Sequence, residues 1–327
     1  MNKGAKVAII VLNWNGHKDT IECVESLKKT DYPDYEILIV DNGSSDGSEA
    51  ILRKKFPELK LIQTGKNLGF AGGANAGIRQ ALASSADYVL LLNNDTTVDP
   101  AFIAELVKAA SLNPRAGILC SKVYFHSNPH PALPLKGLSP RKGGGDKEGS
   151  ITDVIWYAGA SFHPWLGWGR HRGYGQTDAG QFDRVEETPR ACGCSLLATR
   201  EFCEKAGLLD DKYFCYCEDT DWGMRARKAG FKVLYVPASK VWHKVAQSTG
   251  GPATSKSLYY FVRNSLRCVA INAPLHSPLR QARYFCILIT NIMGLFTMGV
   301  PKMLGIKRIY QGFRDYFKGR FGEFKDL

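Results

Sequence analysis

The segment Tyr88-Val89-Leu90-Leu91-Leu92 is uncharged, and it breaks at once into Asn93-Asn94-Asp95. A short continuous apolar run reads as a strand covered on both faces. In open α/β sheets, ligands bind beyond the carboxyl ends of such strands. A carboxylate at that place suits a hard divalent cation that holds phosphates. Asn and Asp are also favoured turn formers, so this segment alone leaves open both a metal site and an ordinary strand exit.

The residues before it repeat one pattern. Stretches 6–12, 36–40, 60–63 and 87–92 read as strands, and 117–124 as a fifth. Between them, 17–29, 46–56 and 72–84 have helical character, and Asp99-Pro100 supplies an N-cap and a first-turn proline for another helix. Strands separated by helices predict a parallel sheet with helices on both faces.

Later stretches are less regular. Residues 126–150 hold four prolines and Gly143-Gly144-Gly145 and read as a mobile surface loop. Residues 151–190 are rich in Gly and aromatics with little periodicity. A short strand is expected over 191–199, then a helix from Arg200, a helix over 219–230, a strand over 232–236 and an amphipathic helix over 254–272. These readings divide the chain into an α/β domain, 1–253, and a basic amphipathic helical region, 254–327. Within the first part, the loop 126–150 separates an amino-terminal half, 1–125, from a second half, 151–253.

The formal charge is +12 for 327 residues, and from Arg263 onward eleven Lys and Arg face three acids. Basic residues there alternate with apolar stretches, which favours an anionic membrane surface over nucleic acid. Residues 284–300 are uncharged for seventeen positions, whereas a span needs roughly 20 apolar residues. Thr290, Asn291, Gly294, Thr297 and Gly299 interrupt the stretch. An in-plane or re-entrant segment is therefore preferred over a span, and a helical pair covering the catalytic domain, or a dimer contact, is the alternative. Nine cysteines and no secretory signal fit a reducing cytoplasm. The one-residue spacing in Cys192-Gly193-Cys194 and Cys215-Tyr216-Cys217 is poor for zinc.

Polar clusters follow the predicted strands. The first ends in Asn13-Trp14-Asn15-Gly16 and the second in Asp41-Asn42-Gly43-Ser44. Asp41 is placed to accept hydrogen bonds from a base or ribose. No glycine-rich loop follows the first strand and no GxxxxGK[ST] run occurs, which excludes NAD and P-loop readings. Small residues in 67–77 allow either close helix packing or close ligand approach; packing does not account for Asn67 and Asn75. Glu218-Asp219-Thr220-Asp221 puts three acids in four residues. A helix N-terminus favours such charge, but the aromatic lead-in Tyr213-Phe214-Cys215-Tyr216 suggests a walled pocket where a carboxylate serves as general base. His243 follows a strand and can reach the same edge as Asp95.

Together these segments resemble family 2 of the inverting glycosyltransferases, particularly its rhamnosyltransferase-like members that build bacterial surface polysaccharides. The resemblance rests on 11–16, 40–47, 67–77, Leu92-Asn93-Asn94-Asp95, Cys192-Gly193-Cys194, 207–211, 216–230, Trp242-His243, Tyr259-Tyr260 with Arg263-Asn264, and 312–322. It implies an α/β fold of the GT-A type, a Rossmann-like nucleotide-diphospho-sugar transferase sheet, with 1–253 as the catalytic domain, 1–125 as its nucleotide-binding half and 151–253 as its acceptor half. It implies donor contacts from Asn13, Asn15, Asp41, Asn67, Gly72, Asn75 and Asn94. It implies Mg²⁺ or Mn²⁺ on Asp95, with His243 and Asn93 as further ligands. Asp219 would be the catalytic base, with Glu218 in reserve, and Asp221 and Trp222 would shape the acceptor side. The family's metal motif is often Asp-x-Asp, and here Asn93 holds its first position.

The expected activity is transfer from a nucleotide sugar, dTDP-rhamnose or a UDP-hexose, to a saccharide or polyprenyl-linked acceptor. The expected place is the inner face of the cell membrane, as a peripheral cytoplasmic protein that can form oligomers and does not bind nucleic acid. A sugar nucleotidyltransferase would want a basic glycine-rich loop at 13–16, which is lacking. A non-catalytic carbohydrate- or membrane-binding homologue is the other reading.

Overall fold

A computed structural model describes residues 4–127, 151–245, 254–296 and 300–325. The amino-terminal part runs β1 (Val7–Asn13), α1 (His17–Leu27), β2 (Tyr35–Asp41), α2 (Ser48–Lys55), β3 (Lys60–Gln63), α3 (Gly69–Ala83), β4 (Tyr88–Asn93), β5 (Thr96–Val98), α4 (Phe102–Leu112) and β6 (Ala116–Phe125). Then come β7 (Ile155–Tyr157), β8 (Glu186–Glu187), β9 (Ser195–Thr199), α5 (Arg200–Ala206), α6 (Glu218–Lys228) and β10 (Lys232–His243). Three helices follow, α7 (Ser255–Asn272), α8 (Leu279–Leu295) and α9 (Lys302–Phe317).

One mixed sheet organises the molecule, in the order β3-β2-β1-β4-β9-β6-β10-β5, with β7 on β6 and β8 on β10. The β3-β2-β1-β4 half is parallel, as the alternation predicts. The expectation of an all-parallel sheet fails beyond it. β9 lies antiparallel between β4 and β6, and β5 runs antiparallel to β10. An apolar run reports burial on two faces but not direction. β9 follows the long excursion from β6 rather than a helical crossover, so no parallel return is imposed on it.

Register places the polar strand ends together. Asn13 pairs with Asp41, and Leu12 with Asn93. The apolar bodies of β1, β2 and β4 form the core, with Val7, Ile9, Val11, Val40, Val89 and Leu90 fully enclosed. Helix α3 presses close on β1. A Cβ at Gly73 would come 2.5 Å from Leu12 Cδ1, and one at Gly77 2.5 Å from Ile10 Cγ2. That accounts for much of the small-residue stretch. Helix α4 begins at Phe102, and Asp99 Oδ1 accepts from Ala101 N just before it.

Helices α7–α9 have their own apolar core, built on Leu258, Val262, Leu266, Val269, Ile287, Leu295 and Ile309. Thr254 and Ser257 form a reciprocal capping box at the start of α7. The apolar stretch 284–300 does not form one long helix: α8 ends at Leu295, ahead of Pro301. Among the described residues no helix is long and apolar enough to cross a membrane. Most of the loop expected at 126–150 lies outside the described residues.

Candidate active site

The carboxyl edge of the parallel half carries a continuous polar relay. Asn94 Nδ2 donates to Thr20 Oγ1 at 2.9 Å, Thr20 Oγ1 donates to Asn13 Oδ1 at 2.8 Å, and Asn13 Nδ2 donates to Asp41 Oδ2 at 2.8 Å. The other oxygen of Asp41 accepts from Ser44 N and Gln63 Nε2, each at 2.9 Å. Asp41 is fully enclosed, so its carboxylate orders the pocket floor. Asn15 adopts positive φ (51°), and its Oδ1 accepts from Ser45 N. Trp14, between the two Asn, is exposed. Asn67 Oδ1 accepts from Gly69 N and Asn42 Nδ2 at the start of α3.

Two expected donor contacts serve packing in the structure. Both ends of the Asn75 amide bond the backbone of Leu209, at 2.8 and 3.1 Å, in the buried interior. Gly72 is buried against Leu68 in the first turn of α3.

The β10–β5 pairing explains how His243 reaches Asp95 across 148 positions. His243 lies opposite Thr96, the residue after Asp95, and β10 extends past the expected end at 236 through an irregularity between Val236 and Lys240. His243 Nε2 sits 3.1 Å from Asp95 Oδ1, and both side chains are buried. His243 Nδ1 is enclosed without a hydrogen-bond partner. Trp156 packs edge-on against His243, with centroids 4.8 Å apart, and His171 Nδ1 lies 3.1 Å from Trp156 O. Burial first, and then the Arg190 charge, push the His171 pKa down to about 3, so it stays neutral as a buttress.

Among the described residues no group of three or more His, Cys, Asp or Glu is arranged so that it could hold a metal ion. A cation here would rest on Asp95 and His243, with diphosphate oxygens and water completing the shell, as Mg²⁺-type sites commonly do. A buried imidazole Nε2 beside a buried carboxylate oxygen is a nitrogen–oxygen donor pair that fits that use. Asn93 is half-buried at the strand end, and its backbone N–H donates to Cys194 O at 3.0 Å.

The same 192–194 turn holds the acidic pair. Gly193 N donates to Asp219 Oδ2 at 3.0 Å, while Thr220 N and Oγ1 donate to Oδ1. Asp219 thus bonds this turn directly, and Asp95 follows two residues after Asn93, whose N–H bonds the turn at Cys194. Glu218 is buried and its Oε2 has no hydrogen-bond partner. Burial first, and then the neighbouring Asp219, hold its carboxyl well above the usual carboxylate range. Cys192 and Cys194 are likewise pushed up by burial and act as packing thiols.

The chain enters α6 under backbone strain. Phe214, Tyr216 and Cys217 all have positive φ, which side chains with a Cβ rarely adopt. Helix α7 holds this loop in place. Asn264 Nδ2 donates to the carbonyls of Tyr213, Cys215 and Tyr216, and Arg263 donates to Tyr213 O and Gly322 O.

The acceptor-side expectation for Asp221 and Trp222 is corrected by their burial. Asp221 accepts from Arg225, Tyr213 and Asn272, and Trp222 is wholly enclosed against Phe202 with Nε1 donating to Gly207 O. On α6 Asp221 lies about 200° around the helix axis from Asp219, and both Asp221 and Trp222 are buried in the core. Sequence reasoning missed Arg190. Its Nε is enclosed without a partner; burial opposes its charge, and Asp219 above all outweighs that and raises its pKa. A lone Arg inside the aperiodic 151–190 stretch carries no local signal.

A sheet with this order, and polar groups of this kind along one edge, define a GT-A-type sugar-transfer fold. Residues 8–204 match the model of Glycosyl transferase family 2, so the chain belongs to that family. It is 31% identical over 251 residues (69% of this chain, 74% of the relative) to the N-acetylglucosaminyl-diphospho-decaprenol L-rhamnosyltransferase of Mycobacterium tuberculosis. It is 21% identical over 276 residues (84% and 75%) to the dTDP-rhamnosyl transferase RfbF of Shigella flexneri. The fold is shared with GalNAc-T7, crystallised with UDP, GalNAc and Mn²⁺, at TM-score 0.61 and 16% identity, over 97% of this chain and 57% of that one. It is also shared with the mannosyltransferase PcManGT from Pyrobaculum calidifontis, in complex with GDP-Man and Mn²⁺, at TM-score 0.58 and 13% identity, over 98% and 89%.

Proposed function

We propose that this protein is an inverting glycosyltransferase that moves a sugar from a nucleotide donor to a lipid-linked saccharide in cell-surface polysaccharide synthesis. The observation that carries this reading is the 192–194 turn, which bonds Asp219 at Gly193 and, at Cys194, the end of β4 that leads through Asn93 to the Asp95–His243 pair. The family membership and the names of the two rhamnosyltransferase relatives favour a dTDP-rhamnose donor, with a UDP-hexose as the next choice. The acceptor is a saccharide on a polyprenyl diphosphate, met at the inner face of the cell membrane by a peripheral enzyme.

The roles follow from the chemistry. Asp41, Asn13 and Asn15 form the nucleoside end, with Asn67 at the lip of α3. Asp95 and His243 hold Mg²⁺ or Mn²⁺, and Asn93 adds at most a neutral oxygen. When bound, the cation offsets negative charge on the departing diphosphate. Asp219 takes the proton of the acceptor hydroxyl. The hydroxyl oxygen bonds the anomeric carbon from the opposite face as the bond to the diphosphate oxygen breaks and its electron pair leaves with the nucleotide. One displacement inverts that carbon. Glu218, held protonated by burial, keeps a second negative charge away from the incoming donor, and Arg190 supplies a positive charge near the base.

A nucleotide-sugar panel with Mn²⁺ tests the donor. dTDP-rhamnose is expected to raise Tm and to lose that effect with chelator or in Asp95→Ala, because a ligand stabilises only the state that binds it. Absence of stabilisation by every nucleotide sugar would sink the assignment.

A further inference from the structure

Helices α8 and α9 each turn an apolar stripe to solvent. On α8 it consists of Phe285, Ile289, Met293 and Phe296, all exposed and spaced four, four and three apart. On α9 it consists of Met303, Ile306, Tyr310 and Phe317, spaced three, four and seven apart. Those intervals keep each set on one helix face. Met303 is 80% exposed and Phe296 74%. Exposed apolar patches of this extent mark interaction sites.

The charges around the stripes have one sign. Arg280, Lys302 and Lys307 are exposed. From Leu279 to Phe317 the chain has a single acid, Asp315, which is buried and takes hydrogen bonds from Tyr259 and Arg314. An aromatic trough of about 740 Å³, lined by Arg280, Tyr284, Tyr316, Phe317 and Phe321, lies on the same helices. Apolar stripes flanked by cations, with aromatic residues and an Arg beside them, match the boundary between headgroups and acyl chains.

We propose that α8 and α9 form the face by which this protein docks in the plane of an anionic lipid surface. The docking face is tied to the chemistry. Helix α9 packs along α7, and α7 grips the strained loop that enters α6 through Arg263 and Asn264. The lipid-facing stripes and Asp219 therefore belong to one connected unit. Docking fixes the height of the base above the membrane and suits an acceptor whose lipid tail stays in the bilayer. This last step rests on the lipid-linked acceptor proposed above; the docking itself does not.

Flotation of the full chain on vesicles tests it. Recovery with phosphatidylglycerol/phosphatidylethanolamine vesicles is expected to exceed that with pure phosphatidylcholine at least about tenfold. Met293→Glu with Ile306→Glu, both at exposed positions, removes flotation while transfer to a short-chain, water-soluble acceptor stays unchanged. Lys302→Gln and Lys307→Gln each weaken binding roughly fivefold, an effect that salt masks. Flotation unaffected by the Met293/Ile306 pair, or equal on neutral vesicles, overturns the proposal. So does a wild-type dimer in light scattering that the same pair dissolves, because a second copy would then cover the face. Flotation without transfer to any acceptor refutes the proposed function and leaves the docking face standing. Transfer without flotation does the reverse.

Discussion

On the edge proposed to hold the donor, the buried carboxylate of Asp41 accepts from three donors, and its neighbours pass hydrogen bonds on through Asn13, Thr20 and Asn94. On the edge proposed to meet the acceptor, the buried carboxyl of Glu218 has an oxygen with no donor, and three non-glycine residues just before it hold positive φ. The donor edge grows from consecutive parallel strands, whose register alone aligns its polar ends. The acceptor edge is a loop bent into place from outside by α7. A satisfied network costs little to maintain before substrate arrives. An unsatisfied, strained one persists only because surrounding contacts over-determine it. The difference teaches that the proposed donor site is a rigid receptacle, while backbone strain is concentrated beside the proposed base.

Replacing a carboxylate by its amide at one position on each edge probes that difference, and the largest effect belongs to Asp219→Asn. The amide cannot take a proton from the acceptor, so kcat is expected to fall by about 10²–10⁴-fold. Nucleotide affinity, measured by calorimetry with Mn²⁺, should stay within about threefold of wild type. A variant that keeps full turnover would move the base to another group. Loss of nucleotide binding alongside turnover would show that the two edges are not separable.

Asp41→Asn comes next and reads out differently. An amide keeps one acceptor oxygen and turns an NH₂ toward donors already aimed at it, those of Asn13 or of Ser44 and Gln63. The expected result is a destabilisation of about 1–3 kcal/mol, seen in denaturant unfolding, together with weaker nucleotide binding. Unchanged stability would mean that the donor edge is less tightly wired than its hydrogen bonds indicate.

The two edges were also unequally legible. Asp41, Asn13 and Asp95 follow apolar runs whose length and composition announce buried strands, so their place on one edge is legible in the sequence. His243 was within reach in the same way, although the length of β10 and its pairing with β5 were not visible. The acceptor edge resisted for physical reasons. Asp219, Asp221 and Trp222 are crowded into four positions, and which of them faces the cleft depends on where α6 begins. It begins at Glu218, which turns Asp221 and Trp222 inward. Asn75 looked like a ligand for want of a local partner; its partner, Leu209, lies 134 residues away. Arg190 and Trp156 come from a stretch with no period, where only the folded chain reveals what they approach.

Glu218→Gln is the smallest and most diagnostic change. A helix N-terminus favours a negative side chain by about 0.3–1 kcal/mol, yet enclosure without a partner works against the charge more strongly, and Asp219 adds to it. The folded carboxyl is therefore raised above its unfolded value of about 4.5. A raised pKa means that the native state holds the proton more tightly than the unfolded chain does. The stability contributed is fully present below the unfolded value and is lost as pH rises through the native one. Glutamine keeps the shape, stays neutral and carries no such loss. Wild type and variant should melt together near pH 4 and diverge as pH rises, with the variant ahead by about 1–3 kcal/mol under alkaline conditions. Parallel melting curves across that range would mean that Glu218 finds a charge partner in solution, and the contrast between a satisfied edge and an unsatisfied one would then reduce to backbone strain alone.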